Sequence, residues 1–181
     1  MWQKPDLTGS SLTPDNFDFE LYTDGSGYTD RFGGCCAVVR SLKHKKFFSC
    51  ASAFYGADTA RAEFEGLLGG LQGIMDAMDW NNSQGRALLR ARRATVFWVS
   101  DREDLVGSVT LKADGTPEFR RKNTPDLWVR YEWYEKLFDV SACWRKRNTV
   151  AWQMMADVVA SECRTMMKNY IGYSIEEGKL I

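Results

Sequence analysis

A chain of 181 residues suffices for one domain with a short extension, and a hydrophobic fraction of 44% is ample for a packed core. Its 24 basic and 24 acidic residues cancel, which excludes a global basic field, so any polyanion must be held by local patches. Five scattered cysteines without C-x-x-C spacing exclude a disulfide framework and a zinc site and point to reduced thiols in a cytoplasmic protein, while the lack of a signal-peptide pattern and of any apolar run of transmembrane length predicts no membrane association.

Residues 1–16 hold two prolines among many polar residues and read as a loose arm. From Phe17 onward, Phe19, Leu21 and Thr23 alternate with Glu20, Tyr22 and Asp24, the period of a strand. Gly25-Ser26-Gly27 is expected to end that strand in a turn. Gly33 to Arg40 reads as a second strand and Phe47 to Tyr55 as a third. The hairpin tip between them carries the only histidine, His44, read as solvated. The opening is thus an antiparallel meander.

Phe64, Leu67, Leu68, Leu71, Ile74, Met75 and Met78 then recur at helical spacing, with Asp58 or Thr59 as the cap. Gly66, Gly69, Gly70 and Gly73 each cost this helix about 1 kcal/mol relative to Ala. Close approach to a sheet is the expected compensation. Arg86 to Arg93 is basic, and Ala94 to Val99 is an apolar strand covered on both faces. Leu105 to Val109 is a short helix. Lys112 to Pro125 is polar and includes Arg120-Arg121-Lys122. Asp126 to Leu137 is a helix, Val140 to Trp144 a last strand, and about Val150 to Met167 a last helix. Its expected apolar stripe is Trp152, Met155, Ala156, Val159, Cys163 and Met166. A domain over residues 17–168 and a tail over 169–181 follow. Helical connections make the later strands parallel neighbours of the first.

Four carboxylates stand out in this frame. Asp24 and Asp101 lie at the carboxyl ends of predicted strands, where sites of α/β sheets are found. Glu63 sits on the shoulder of a buried helical stripe near the positive helix N-terminus. Asp157 lies off the centre of the last stripe and can reach the same point from the other side. Each alone is commonly a turn former, a cap or a solvated charge. Four around one sheet edge repel one another unless cations neutralise them. Carboxylates are hard ligands suited to Mg²⁺ or Mn²⁺, and two such ions can cut a phosphodiester without a side-chain nucleophile. The pattern points to a metal-dependent nuclease.

The chain resembles a ribonuclease H from roughly Phe17 to Arg164. Thr23-Asp24-Gly25-Ser26 matches the end of that family's first strand. Arg61-Ala62-Glu63 and the apolar run to Leu71 match its first helix, Asp101 the end of its fourth strand, Asp126-Leu127-Trp128 a later helix, and Asp157 with Ala160 the last one. The resemblance implies an α/β fold with a five-stranded mixed sheet, three strands antiparallel and then two parallel, flanked by helices. It also implies Asp24, Glu63, Asp101 and Asp157 as a catalytic set binding two Mg²⁺ ions, or Mn²⁺ in their place. Asp24 would bridge both ions, Glu63 and Asp101 would serve the leaving-group side, and Asp157 the nucleophile side. The implied reaction hydrolyses the RNA strand of an RNA–DNA hybrid, leaving 5′-phosphate and 3′-hydroxyl ends. Arg120, Arg121 and Lys122, and then Arg145, Lys146 and Arg147, would grip phosphates, with Arg86, Arg90, Arg92 and Arg93 as a further basic run whose alternative is a solvated face. Two family features are absent. Trp144 to Asn148 holds no Gly-His pair, and Thr59-Ala60 stands where the family has Asn-Asn. A DNA nuclease of the same fold, a resolvase or exonuclease, and a non-catalytic domain binding nucleic acid or protein remain alternatives. A monomer is the expected state.

Overall fold

The computed structural model describes residues 16–28, 32–56, 58–79, 87, 92–110, 124–147 and 149–176. The elements in order are β1 (Phe19–Gly27), β2 (Phe32–Ser41), β3 (Lys46–Tyr55), α1 (Thr59–Ala77), β4 (Ala94–Ser100), α2 (Glu103–Thr110), α3 (Pro125–Tyr134), β5 (Phe138–Trp144) and α4 (Ala151–Glu176). The five strands form one sheet in the order β3-β2-β1-β4-β5. The pairs β1–β2 and β2–β3 are antiparallel, and β1–β4 and β4–β5 are parallel. This is the five-stranded mixed sheet that the resemblance implies.

Strand alternation sends side chains to two cores. Leu21, Val96 and Trp98 join Phe64, Leu67, Leu71 and Ile74 of α1, together with α2 and α3, on one face. Tyr22, Val38, Phe97 and Val99 meet Ala156 and Ala160 of α4 on the other. The central strands are therefore apolar on both sides, as their composition suggests.

Contact between helix and sheet is unusually close. A Cβ on Gly70 would stand 2.4 Å from Leu21 Cδ1, and one on Gly73 the same distance from Cys50 Sγ. The glycines of α1 thus trade helix propensity for proximity to the sheet. Gly69 is the exception, since nothing lies within 4 Å of its Cβ position.

Four expectations are corrected. β1 does not turn at Gly25 but stays paired through Gly25↔Cys35, Ser26↔Gly34 and Gly27↔Gly33. The reason is packing: a Cβ on Gly25 would lie 2.1 Å from the Glu63 backbone N, and one on Gly27 2.5 Å from the Asp58 backbone C. These glycines seat the start of α1 on the strand. Helix α3 ends at Tyr134, and β5 begins at Phe138, whose fully buried ring belongs to the core. Helix α4 continues past Met167 to Glu176. Its sheet-facing side is Gln153, Ala156 and Ala160, while Met155 and Met166 are exposed. Small residues are required there, because a Cβ on Gly34 would fall 2.2 Å from the Ala160 backbone O.

Two substitutions separate these uses of glycine. Gly25→Ala forces backbone apart and is expected to cost about 3 kcal/mol or more. Gly69→Ala meets open space in a helix and is expected to add about 0.5–1 kcal/mol. Denaturant unfolding of the two variants checks both signs.

Candidate metal centre

The parallel register Phe19↔Val96 to Tyr22↔Val99 decides where the acids meet. Two residues beyond its last pair stand Asp24 on β1 and Asp101 just after β4. Both therefore emerge level with each other, on the α4 side of the sheet. Buried hydrogen bonds hold this edge. Trp98 Nε1 donates to Thr23 Oγ1 at 2.9 Å, tying β4 to β1. Trp144 Nε1 donates to the Asp101 carbonyl at 2.9 Å, and Arg145 N to the Ser100 carbonyl at 3.0 Å, fixing the chain as it leaves β4.

Glu63 comes from α1, the fifth residue of the helix, and is brought in by the seat on Gly25. Asp58 caps the helix by accepting from Arg61 N at 2.8 Å. Thr59 is the first helical residue instead of the cap, and its hydroxyl donates to the Gly27 carbonyl at 2.8 Å. Two of the sequence motifs also meet in space. Arg61 makes a two-pronged contact with Asp126, at 3.2 and 2.5 Å, and Phe64 packs edge-on against Trp128 at 4.5 Å. This clamp between α1 and α3 fixes the end of the helix that carries Glu63.

Asp24, Glu63 and Asp101 each offer an oxygen, and these oxygens lie within 4.8 Å of one another. Asp24 and Glu63 are buried, at 1% and 4% exposure. Burial, with Asp101 and Asp157 close by, pushes the Asp24 carboxyl up to about 8 against the pull of Arg147. Burial and the charges of Asp24 and Asp101 hold Glu63 well above the usual carboxylate range, despite Arg102 and a backbone hydrogen bond at Gly25. Asp101 is raised too, mainly by burial. Asp157, from α4, joins through Arg147, which is hydrogen-bonded to Asp157 Oδ1 and lies 3.9 Å from Asp24 Oδ2 and from Asp101 Oδ2.

The donor set fits a hard divalent cation. Asp24 Oδ2 and Glu63 Oε2 are buried without a hydrogen-bond partner. Orphaned buried acceptors of this kind cost roughly 1–3 kcal/mol each unless something satisfies them, and a metal ion would. The Cys36 thiol, paired across β1–β2 with Asp24, is pushed up to about 12 by burial and so stays protonated, while the four carboxylates of this corner are hard oxygen ligands.

The basic residues divide. Arg92 pairs with Asp18 at 3.0 Å, and Arg93 donates to the Phe138 carbonyl at 2.6 Å. Both stand before β4, at the opposite end of the sheet from the carboxylates. Arg145, Lys146 and Arg147 lie beside the acids at the end of β5. Arg86, Arg90, Arg120, Arg121 and Lys122 fall outside the described residues. His44 is exposed at the hairpin tip. Sequence reasoning placed Arg147 on phosphate and missed its contact with the acids. The available signal was its position on the β5–α4 connection, which has to pass the corner where Asp101 emerges.

No family model matches the sequence, and no curated protein matches it. Solved structures do. The N-terminal RNase H domain of Rv2228c from Mycobacterium tuberculosis superposes with a TM-score of 0.61 at 18% identity, covering 86% of this chain and 99% of that one. RNase H1 from the halophilic archaeon Halobacterium salinarum gives 0.59 at 19%, covering 82% and 98%. LC11-RNase H1 in complex with an RNA/DNA hybrid gives 0.54 at 15%, covering 82% and 97%. At these identities the likeness establishes the fold.

The raised Asp24 carboxyl carries a signed consequence. Its folded value of about 8 exceeds the ordinary 3.8, so the folded state holds a proton that the unfolded state releases. The resulting penalty is absent below pH 4, grows as pH rises, and is complete above pH 8. In metal-free protein Asp24→Asn should leave Tm unchanged near pH 4 and raise it at pH 8, by roughly 2–4 °C for each kcal/mol of penalty removed. Calorimetric scans of both proteins across that range test this. Equal Tm values at pH 8 would contradict it.

Proposed function

We propose that this ribonuclease H-fold chain is a metal-dependent endonuclease that hydrolyses the RNA strand of RNA–DNA hybrids. The observation that carries the reading is the cluster of Asp24, Glu63 and Asp101, with oxygens within 4.8 Å and two acceptors left orphaned in the buried corner. The hybrid seen with LC11-RNase H1 supports the choice of substrate.

Asp24, Glu63, Asp101 and Asp157 would hold Mg²⁺ or Mn²⁺, with Asp24 central because it stands between the other acids. Such ions would supply the means to activate a water and to stabilise the departing 3′ oxygen. The chain's own contribution is position. The β1–β4 register sets Asp24 level with Asp101, the glycine seat brings Glu63 in, and α4 supplies Asp157 from the far side. Burial of Asp24 and Glu63 keeps competing water away from the ligand oxygens. Arg145 and Lys146, which follow β5 beside the acids, are proposed to contact the phosphate backbone. Arg120, Arg121 and Lys122 are proposed to extend that grip. Selection of RNA would rest on 2′-hydroxyl contacts in the minor groove. Thr59, which stands where the family has an amide, has its hydroxyl committed to the Gly27 carbonyl. The five cysteines are free thiols, which suits a reducing cytoplasm, and the protein is proposed to act as a monomer. No helix among the described residues is long and apolar enough to cross a membrane.

Strand cleavage tests the reading. Labelled RNA–DNA hybrid, duplex RNA, duplex DNA and single strands are incubated with Mg²⁺ or Mn²⁺. The expected result is scission of the hybrid's RNA strand, reduced on the order of a hundredfold or more by Asp24→Asn. Cleavage of DNA alone would assign the chain to the resolvase or exonuclease branch. Intact substrates throughout, with folded protein, would leave a binding domain.

A further inference from the structure

The carboxylate corner carries a cation of its own. Arg147 lies on the connection between β5 and α4. Its Nη2 hydrogen-bonds Asp157 Oδ1 and stands 3.9 Å from Asp24 Oδ2, and its Nε stands 3.9 Å from Asp101 Oδ2. Three carboxylates from three different elements thus face one guanidinium. Arg102, the neighbouring arginine, is committed elsewhere, with Nε and Nη2 on Asp104 at 2.7 and 3.1 Å.

Arg147 occupies the corner without satisfying it. Asp24 Oδ2 and Glu63 Oε2 still lack a hydrogen-bond partner, and of the three carboxylates that Arg147 faces only Asp157 is hydrogen-bonded to it. A guanidinium stays charged at every working pH, and its planar fork suits carboxylate oxygens. Its Nη2 holds Asp157 Oδ1 directly, so a divalent ion ligated there must displace it, and from 3.9 Å its charge repels a cation drawn to Asp24 and Asp101. It can leave readily. Its side chain is 57% exposed, and it hangs on an irregular turn closed by Thr149 Oγ1 donating to the Lys146 carbonyl at 2.5 Å.

We propose that Arg147 is a built-in counter-cation that holds the metal-free carboxylates together and competes with the divalent ion for Asp24, Asp101 and Asp157. Metal entry then requires the guanidinium to swing out, and the cost of that exchange sets a threshold for metal occupancy. The inference rests on the metal-binding reading of this corner.

The test is titration calorimetry of Mn²⁺ into the full metal-free chain, for wild type, Arg147→Gln and Arg147→Lys, alongside Tm without metal. Arg147→Gln should bind Mn²⁺ on the order of tenfold tighter, while its metal-free Tm falls. Arg147→Lys keeps the charge, loses the fork and should lie between. It also preserves the comparison if the glutamine variant does not fold. Binding seen in Arg147→Gln but not in wild type would support the proposal as well. Equal affinities, or weaker binding in the variants, would overturn it while leaving the nuclease reading intact. No Mn²⁺ binding in any of the three would overturn both.

Discussion

Like charges crowded at a buried sheet edge are the constraint on which this structure turns. Two unit charges 4.8 Å apart at an effective dielectric of about 20 repel by roughly 3.5 kcal/mol. Asp24 and Glu63 lie away from water, and burial first, then the neighbouring carboxylates, pushes both carboxyls upward. A fold shaped for stability alone would place apolar side chains here, as it does at Leu21 and Tyr22 of the same strand. The acids are instead held in place by devices that serve no other visible end: the β1–β4 register, the bare backbone at Gly25 and the clamp from Arg61 to Asp126.

Those devices are connected. Glycine at position 25 lets α1 descend until Glu63 touches the strand. The Phe64–Trp128 contact and the Arg61–Asp126 pair then pin the helix against α3. On the opposite face, Gly34 and Ala160 bring α4 equally close, so that Asp157 reaches the same corner. Small residues on both sides of the central strands thus set how tightly four acidic residues from four elements converge. Arg147 relieves the repulsion in part, and its exposure makes that relief reversible.

Most of this was legible in the sequence, because its periodicities are strong. The alternation from Phe19 to Asp24 and the stripe from Phe64 to Met75 fix element types, and connection rules then make β4 parallel to β1. The four acids were legible as a set because they fall at strand ends and helix shoulders. Less visible was the reason for the glycines. Gly25 and Gly27 carry the signature of a turn, but tertiary packing overrides it, and only the approach of α1 distinguishes the two meanings. The stripe of α4 was misjudged for a related cause. Methionines signal burial by composition, whereas the closest approach of α4 to the sheet, at Ala156 and Ala160, leaves room only for small side chains. Arg147 read as a phosphate-binding cation, since its reach back to Asp24 and Asp157 depends on a connection whose path no periodicity encodes.

The central claim is that Asp24, Glu63, Asp101 and Asp157 form one metal centre. Anomalous scattering from crystals grown with Mn²⁺ addresses it most directly. The account predicts manganese between Asp24, Glu63 and Asp101, at a carboxylate-ligand distance of about 2.2 Å, with Arg147 turned out toward solvent. An empty corner in crystals that hold manganese elsewhere, or one in which Arg147 still bridges the acids, would contradict it.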